Sequence, residues 1–264
     1  DITKVMLSMA DTNQDVIDLM NYRFTKSKSL GIHSVKNLLL MALMDLKGNF
    51  ASAMPVMEKL LDVKGNILPL TEDNVNLVGI TSSGKKVIGE HQLTKCASKI
   101  VEVKYDKEIT VNPKVINAVK EADLIIFSSG SLLTSIVPHL IDKGLVDVIN
   151  KAKGEKVYIC NLFTQPGETD GFTVKDHIDY LEKYLGKESI DVVIANNEVI
   201  SSDLAKKYRN EEQKDPVLLD MHELDESNIY VIKDKLFTIE DGWYRHDALK
   251  TGYLLFSYLM DGRK

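Results

Sequence analysis

Apolar residues recur at helical spacing over roughly the first sixty positions and then change to short runs. Val16, Leu19 and Met20 mark a helix within 11–24, and Val35, Leu38, Leu39, Ala42, Leu43 and Leu46 mark another over 34–46. A third is predicted from Phe50 to Leu61, so these segments build one helical wall. Between Asn66 and Gln92 the pattern becomes that of short strands: Ile67-Leu68, Val75 to Ile80 and Val87 to Glu90, with Ser82-Ser83-Gly84-Lys85 as a hairpin turn. This reads as a small β sub-domain inserted at about 66–92.

Farther on, strands and helices alternate. Strands are expected near Ile100 to Val103, then at 124–127, 156–161 and 190–195, near Val217 and at 229–232; helices are expected at 113–121, 132–141 and 174–185. A last helix, His246 to Met260, is expected to pack Leu249, Tyr253, Leu254, Phe256 and Leu259 on a broad apolar face. Apolar strands of three to five residues between helices imply a parallel sheet covered on both faces. The expected fold is a single α/β domain over 1–264, a doubly wound Rossmann-like, mostly parallel sheet carrying the β insertion.

Composition narrows the function classes. The 264 residues carry 33 Lys plus Arg against 39 Asp plus Glu, a formal net charge of −6, so nothing global draws the chain to nucleic acid or anionic lipid. Small ligands are favoured over polyanions. The two cysteines, Cys96 and Cys160, lack any metal-ligand spacing, which fits a reduced, cytoplasmic protein. The stretch 124–141 has no formal charge but contains Ser128, Ser129, Gly130, Ser131, Thr134, Ser135 and Pro138, so it reads as strand, turn and helix rather than as a membrane span. The chain opens at Asp1 inside an apparent helix, and further sequence is expected before it.

Five segments carry candidate chemistry. Gly130, Ser131, Thr134 and Ser135 lie where a buried strand gives way to a helix; Gly allows close backbone approach, and free N–H groups with hydroxyls suit phosphate. The same residues suit a plain N-cap. Asn161, Thr164 and Gln165 open a polar loop after the next strand and can read a base, a sugar or a diphosphate, while Glu168 and Asp170 in that loop can hold Mg²⁺. Turn and capping roles account for that loop equally well. His33 begins a helix, Asn196 and Asn197 follow a strand, and Arg245 precedes the last helix with the fork geometry for a phosphate. The bland readings are a structural His33, a turn at 196–197, and an Asp247 cap beside a surface Arg245. No Ser-His-Asp order, H-E-x-x-H, Walker A or G-x-G-x-x-G occurs.

Together these residues resemble a family. N-L-F-T-Q-P-G-E-T-D-G-F-T at 161–173, G-S-L-L-T-S-I-V-P at 130–138, A-N-N-E at 195–198 and R-H-D at 245–247 are similar to the YvcK-type gluconeogenesis factors, relatives of the CofD-like 2-phospho-L-lactate transferases. The resemblance covers essentially the whole chain. It implies that Asp1-Ile2-Thr3-Lys4-Val5 corresponds to a G-D-I-R-N segment, preceded in the family by a βα unit on the order of 30 residues with a Gly-rich loop. It gives ligand-facing roles to Gly130, Ser131, Thr134, Ser135, Asn161, Thr164, Gln165, Asn196, Asn197 and Arg245, and matches His33 and Asn37 to a G-H-x-x-G-N segment. Leu133 stands where the family has Tyr, Ile32 and Lys36 replace glycines, and Thr3 replaces Arg.

The resemblance implies two functions. One is a cytoplasmic UDP-sugar binder that supports cell shape and cell-wall precursor supply on gluconeogenic carbon sources. The other is a Mg²⁺-dependent transferase acting on guanosine diphosphate-activated lactate and a deazaflavin, with Mg²⁺ and a helix N-terminus stabilising the displaced phosphate. The first is favoured by T-Q-P-G-E-T-D-G and R-H-D, and by the lack of an aromatic cluster in the candidate loops that would clamp a flat deazaflavin. The partner in either case is a nucleoside-diphosphate small molecule, with no nucleic acid and no membrane insertion; a homodimer is the default expectation.

Overall fold

The computed structural model describes residues 2–25, 30, 33–96, 98–240 and 242–262. The chain divides into two compact units, Asp1–Glu72 and Asp73–Lys264, where the sequence led us to expect one domain. The first is helical: α1 (Ile2–Ser8), α2 (Gln14–Asn21), α3 (Val35–Lys47) and α4 (Phe50–Leu60). Asn13 and Asn49 cap α2 and α4 by accepting from Val16 and Ser52 N–H groups, and Gly48 ends α3 in the left-handed conformation at φ 82°. Their apolar faces close on Met6, Met20, Leu40, Leu43, Met54, Met57 and Leu61. Lys36 is also buried; its ammonium donates to Asn21 Oδ1 at 2.8 Å, and burial lowers its pKa, helped by Lys4 and Arg23.

The second unit starts with β1 (Leu77–Thr81), β2 (Lys86–Ile88), α5 (Glu90–Thr94) and β3 (Ile100–Tyr105). These strands form an antiparallel sheet ordered β2-β1-β3. Ile100 to Val103 therefore belongs with the β sub-domain, which reaches past 92, and not with the parallel sheet; Ile67-Leu68 forms no strand. The alternation that follows is α6 (Pro113–Glu121), β4 (Leu124–Phe127), α7 (Lys143–Lys151), β5 (Glu155–Ile159), α8 (Val174–Leu185), β6 (Val192–Asn196), α9 (Ser202–Glu212), α10 (Met221–Asp225) and β7 (Tyr230–Asp234). Strands β4, β5, β6 and β7 form a parallel sheet in that order. Val157, Val192 and Ile194 are wholly buried at its centre, as strands covered on both faces require.

A hairpin of β8 (Phe237–Glu240) and β9 (Trp243–His246) leads into α11 (Ala248–Asp261). Sequence periodicity did not separate that hairpin from the last helix. Of the expected apolar face of α11 only Leu254 packs against the core: Leu249, Tyr253, Phe256 and Leu259 are 87, 67, 62 and 48% exposed, whereas Thr251 and Tyr258 are buried and Leu254 and Leu255 half-buried. Tyr258 fixes the rotation of the helix, because its hydroxyl donates to Glu155 Oε2 at 2.6 Å and its ring stacks on Tyr230. Among the described residues no helix is long and apolar enough to cross a membrane.

Candidate functional site

Two loops at the carboxyl ends of β4 and β5 converge, where open α/β sheets carry their ligands. After β4 the chain does not form the helix expected over 132–141. A π-helical turn, Leu132–Ile136, passes into a 3₁₀ turn, Val137–Leu140, before α7 begins. Gly130 sits against Ser135, where an added Cβ would come within 3.1 Å of the serine Cβ, and its carbonyl accepts from Asn161 Nδ2 at 2.9 Å.

The N–H groups that would cradle a phosphate are already engaged. Thr134 N–H donates to Ser131 Oγ at 3.1 Å, and Ser135 and Ile136 N–H groups donate to the Ser131 carbonyl. The anion at this turn is the chain's own Glu168, only 4% exposed. Its carboxylate accepts from Ser131 Oγ at 2.7 and 3.0 Å and from Leu133 N–H at 3.4 Å, while Thr134 Oγ1 donates to Ser131 Oγ at 2.7 Å. Burial raises the Glu168 pKa, and the Ser131 and Leu133 hydrogen bonds oppose that rise. Ser131 thus binds Glu168, and Thr134 binds Ser131.

The loop after β5 is shaped to deliver that carboxylate. Gln165 N–H donates to Thr169 Oγ1 at 2.9 Å, and Gly167 N–H donates to Asp170 Oδ2 at 2.8 Å. Gly167 has φ 76°, and a Cβ there would stand 2.3 Å from the Cys96 carbonyl oxygen, so only glycine fits. Asp170 closes this turn, and Glu168 is bound to Ser131 and Leu133. Among the described residues no three His, Cys, Asp or Glu side chains gather as a metal site. The pair as placed does not fit a shared Mg²⁺.

Beside this clasp lies a cleft of about 230 Å³, lined by Ser129, Asn161, Thr164, Gln165, Glu212, Lys214, Arg245 and His246 over a floor of Leu162, Phe163, Tyr208 and Tyr244. It unites four of the residues named from sequence: Asn161, Thr164, Gln165 and Arg245. Arg245 is exposed and makes no ion pair among the described residues, whereas Lys214 is paired with Glu212. The floor is rigid: Phe163 and Tyr208 stack with centroids 4.0 Å apart, and Tyr208 accepts from Tyr244 N–H at 2.8 Å. Thr164 is buried and tied to Asp215 through its N–H (2.8 Å) and Oγ1 (3.0 Å), which brings Lys214 to the cleft. The strand expected near Val217 is this crossing segment, held by isolated bridges at Pro216 and Leu218.

Asn196 and Asn197 do not line this cleft. Asn196 closes its own turn, accepting from Leu236 N–H and donating to the Glu198 carbonyl; Asn197 N–H donates to the Asp234 carbonyl. His33 and Asn37 belong to the first unit, where Asn37 Oδ1 accepts from Thr3 Oγ1 at 3.0 Å. Ile32 lies outside the described residues. Sequence reasoning missed Ser129, Lys214 and His246 as lining residues. The R-H-D motif contained a signal for His246, whereas Lys214 depends on the Thr164–Asp215 contact, across 51 residues of chain, that no local pattern encodes. Larger grooves of about 860 and 810 Å³ lie at the amino ends of β6 and β7 and against the antiparallel sheet, away from the strands' carboxyl ends.

Behind the loop, His177 is wholly buried, and its Nδ1 lies 2.8 Å from the Thr173 carbonyl. Burial lowers its pKa, as it does that of His246. Just below pH ~6.5 the unfolded chain therefore binds more protons than the folded one, so stability is lost as pH falls, by up to about 1.4 kcal/mol per pH unit for each group. Thermal unfolding between pH 7 and 5 is expected to show a falling midpoint, with a shallower slope in His177→Phe.

The chain is similar to known proteins over almost its full length. The model of the family described as 2-phospho-L-lactate transferase CofD matches residues 1–237. The putative gluconeogenesis factor of Thermotoga maritima is 38% identical over 95% of this chain and 80% of its own length. The gluconeogenesis factor of Bacillus subtilis is 37% identical over 99% of this chain and 82% of its own. The crystal structure of protein BH3568 from Bacillus halodurans superposes with a TM-score of 0.91 at 32% identity, covering 97% of this chain and 82% of that one.

Proposed function

Because the chain belongs to the CofD family and groups there with the gluconeogenesis factors, we propose that it is a cytoplasmic nucleotide-sugar-binding regulator whose cleft receives the diphosphate of a UDP-sugar. In this reading it supports cell shape and cell-wall precursor supply on gluconeogenic carbon sources. The observation that carries the proposal is Arg245, which has no ion pair among the described residues and lines the same cleft as Asn161, Thr164 and Gln165. A guanidinium supplies two parallel N–H groups for phosphate oxygens, and the amides and hydroxyl supply neutral partners for the attached group. At about 230 Å³ the cleft is smaller than a whole nucleotide sugar needs, and it suits the diphosphate with its immediate neighbour.

The transferase reading uses Mg²⁺, and Glu168 and Asp170 as placed do not hold one between them. Calorimetric titration of the chain with UDP-N-acetylglucosamine, and separately with GDP plus Mg²⁺, tests the proposal. Preference for the UDP-sugar is expected. Preference for GDP with metal overturns it and calls for a turnover assay.

A further inference from the structure

The chain is acidic overall, yet between Asp18 and Asp45 it carries no acid and holds Arg23, Lys26, Lys28 and Lys36. In the first unit the described part of this basic run meets at the amino end of α3. Residues 21–23 run beside 34–36: Arg23 and Ser34 face each other in an isolated antiparallel bridge, and Val35 N–H donates to the Tyr22 carbonyl at 3.0 Å. The Lys36 ammonium reaches across to donate to Asn21 Oδ1 at 2.8 Å. Side chains directly opposite in such a bridge stand roughly 5 Å apart at Cβ, which sets Arg23 beside Ser34.

Two buried groups at this helix start are not satisfied by the described residues. Ser34 is the N-cap of α3 and only 1% exposed, but its Oγ accepts from none of the first-turn N–H groups and has no hydrogen-bond partner. A serine in that position ordinarily binds the N–H two or three residues on. Lys36, 6% exposed, spends one of its three N–H donors on a neutral amide, and its backbone N–H has no partner among the described residues. Burial lowers its pKa, and the charges that push it further down are those of Lys4 and Arg23, both positive. Buried charges in proteins are paired, and the positive end of a helix dipole disfavours a lone cation. Donor chemistry, local charge and helix dipole all favour the same partner, an anion.

We infer that the amino end of α3 is an anion site, taking the phosphate group of a small molecule on Ser34 Oγ, the Lys36 N–H and the Lys36 ammonium. Its residues all belong to the first unit and none lines the cleft at Arg245, so it stands or falls apart from the reading proposed above. Phosphate suits the set better than a carboxylate, because it brings three acceptor oxygens and close to two negative charges to donors set among Lys4, Arg23 and Lys36.

The test is an amide-resolved NMR titration of the intact chain with sodium phosphate and, separately, with sodium acetate, at constant ionic strength. Phosphate is expected to shift the Ser34, Lys36 and Asn37 amides along one saturable curve with a Kd in the millimolar range, about tenfold tighter than acetate. No saturable shift at these amides overturns the inference, and acetate binding as tightly as phosphate overturns the assignment to a phosphate group. Lys36→Met, read at the Asn37 amide, is expected to weaken phosphate binding about tenfold or more, and an unchanged affinity overturns the inference. Should that variant fail to fold, Ser34→Ala takes its place: a loss of about fivefold supports the site, and no loss overturns it.

Discussion

Replacing Glu168 by alanine is expected to cost about 2–4 kcal/mol of stability and to abolish ligand binding, because it leaves Ser131 Oγ–H and Leu133 N–H buried and unpaired. The loss reaches beyond one contact. Glu168 ties the turn after β4 to the loop after β5, and that loop also presents Asn161, Thr164 and Gln165. Glu168→Gln keeps an acceptor for Ser131 and is expected to cost less than half as much. Urea unfolding of both variants checks the order, and equal losses would show that the charge, rather than the acceptor, holds the clasp. Ser131→Ala is a useful companion, since it leaves the buried carboxylate with only the 3.4 Å Leu133 contact.

Arg245→Ala is expected to weaken UDP-sugar binding by about 30- to 100-fold, the scale of a lost charge-assisted phosphate contact. Stability should change by no more than about 0.5 kcal/mol, because the side chain is exposed on β9 and makes no ion pair among the described residues. The loss should fall on diphosphate ligands and spare nucleosides. Arg245→Lys should recover only part of it, since an ammonium lacks the planar fork. Calorimetry with UDP-sugar and with uridine checks both points; an equal loss for the two ligands would place Arg245 in a structural role.

Much of the second unit was legible because local signals agree with its tertiary fold. Helix α8 begins after a capping box of Thr173 and Asp176 and runs over the span that periodicity predicts. Pro113 after Asn112 likewise starts α6. The candidate site was legible in part. The loop 161–173 was recognised as polar and chemical, but its acid looked like a cation ligand because sequence cannot show that Ser131, 37 residues earlier, donates to Glu168. The serine-rich turn likewise read as an open cradle, since whether an N–H is free depends on what packs against it.

Determined by sequence alone were the α/β class, the order of the parallel strands' apolar runs, the family, and the polar side chains of Asn161, Thr164, Gln165 and Arg245 that line one cleft. Each is written in residue type and short-range spacing, which fix backbone preference and chemical capacity. The tertiary structure decided the rest: the pairing of Ile100–Tyr105 with the antiparallel sheet, the rotation of α11, the occupation of the serine turn by Glu168, and the arrival of Lys214 and His246 at the cleft. These are long-range pairings. A strand's partner, a helix's buried face and a polar atom's last hydrogen bond depend on which distant surface arrives, and no local pattern records that.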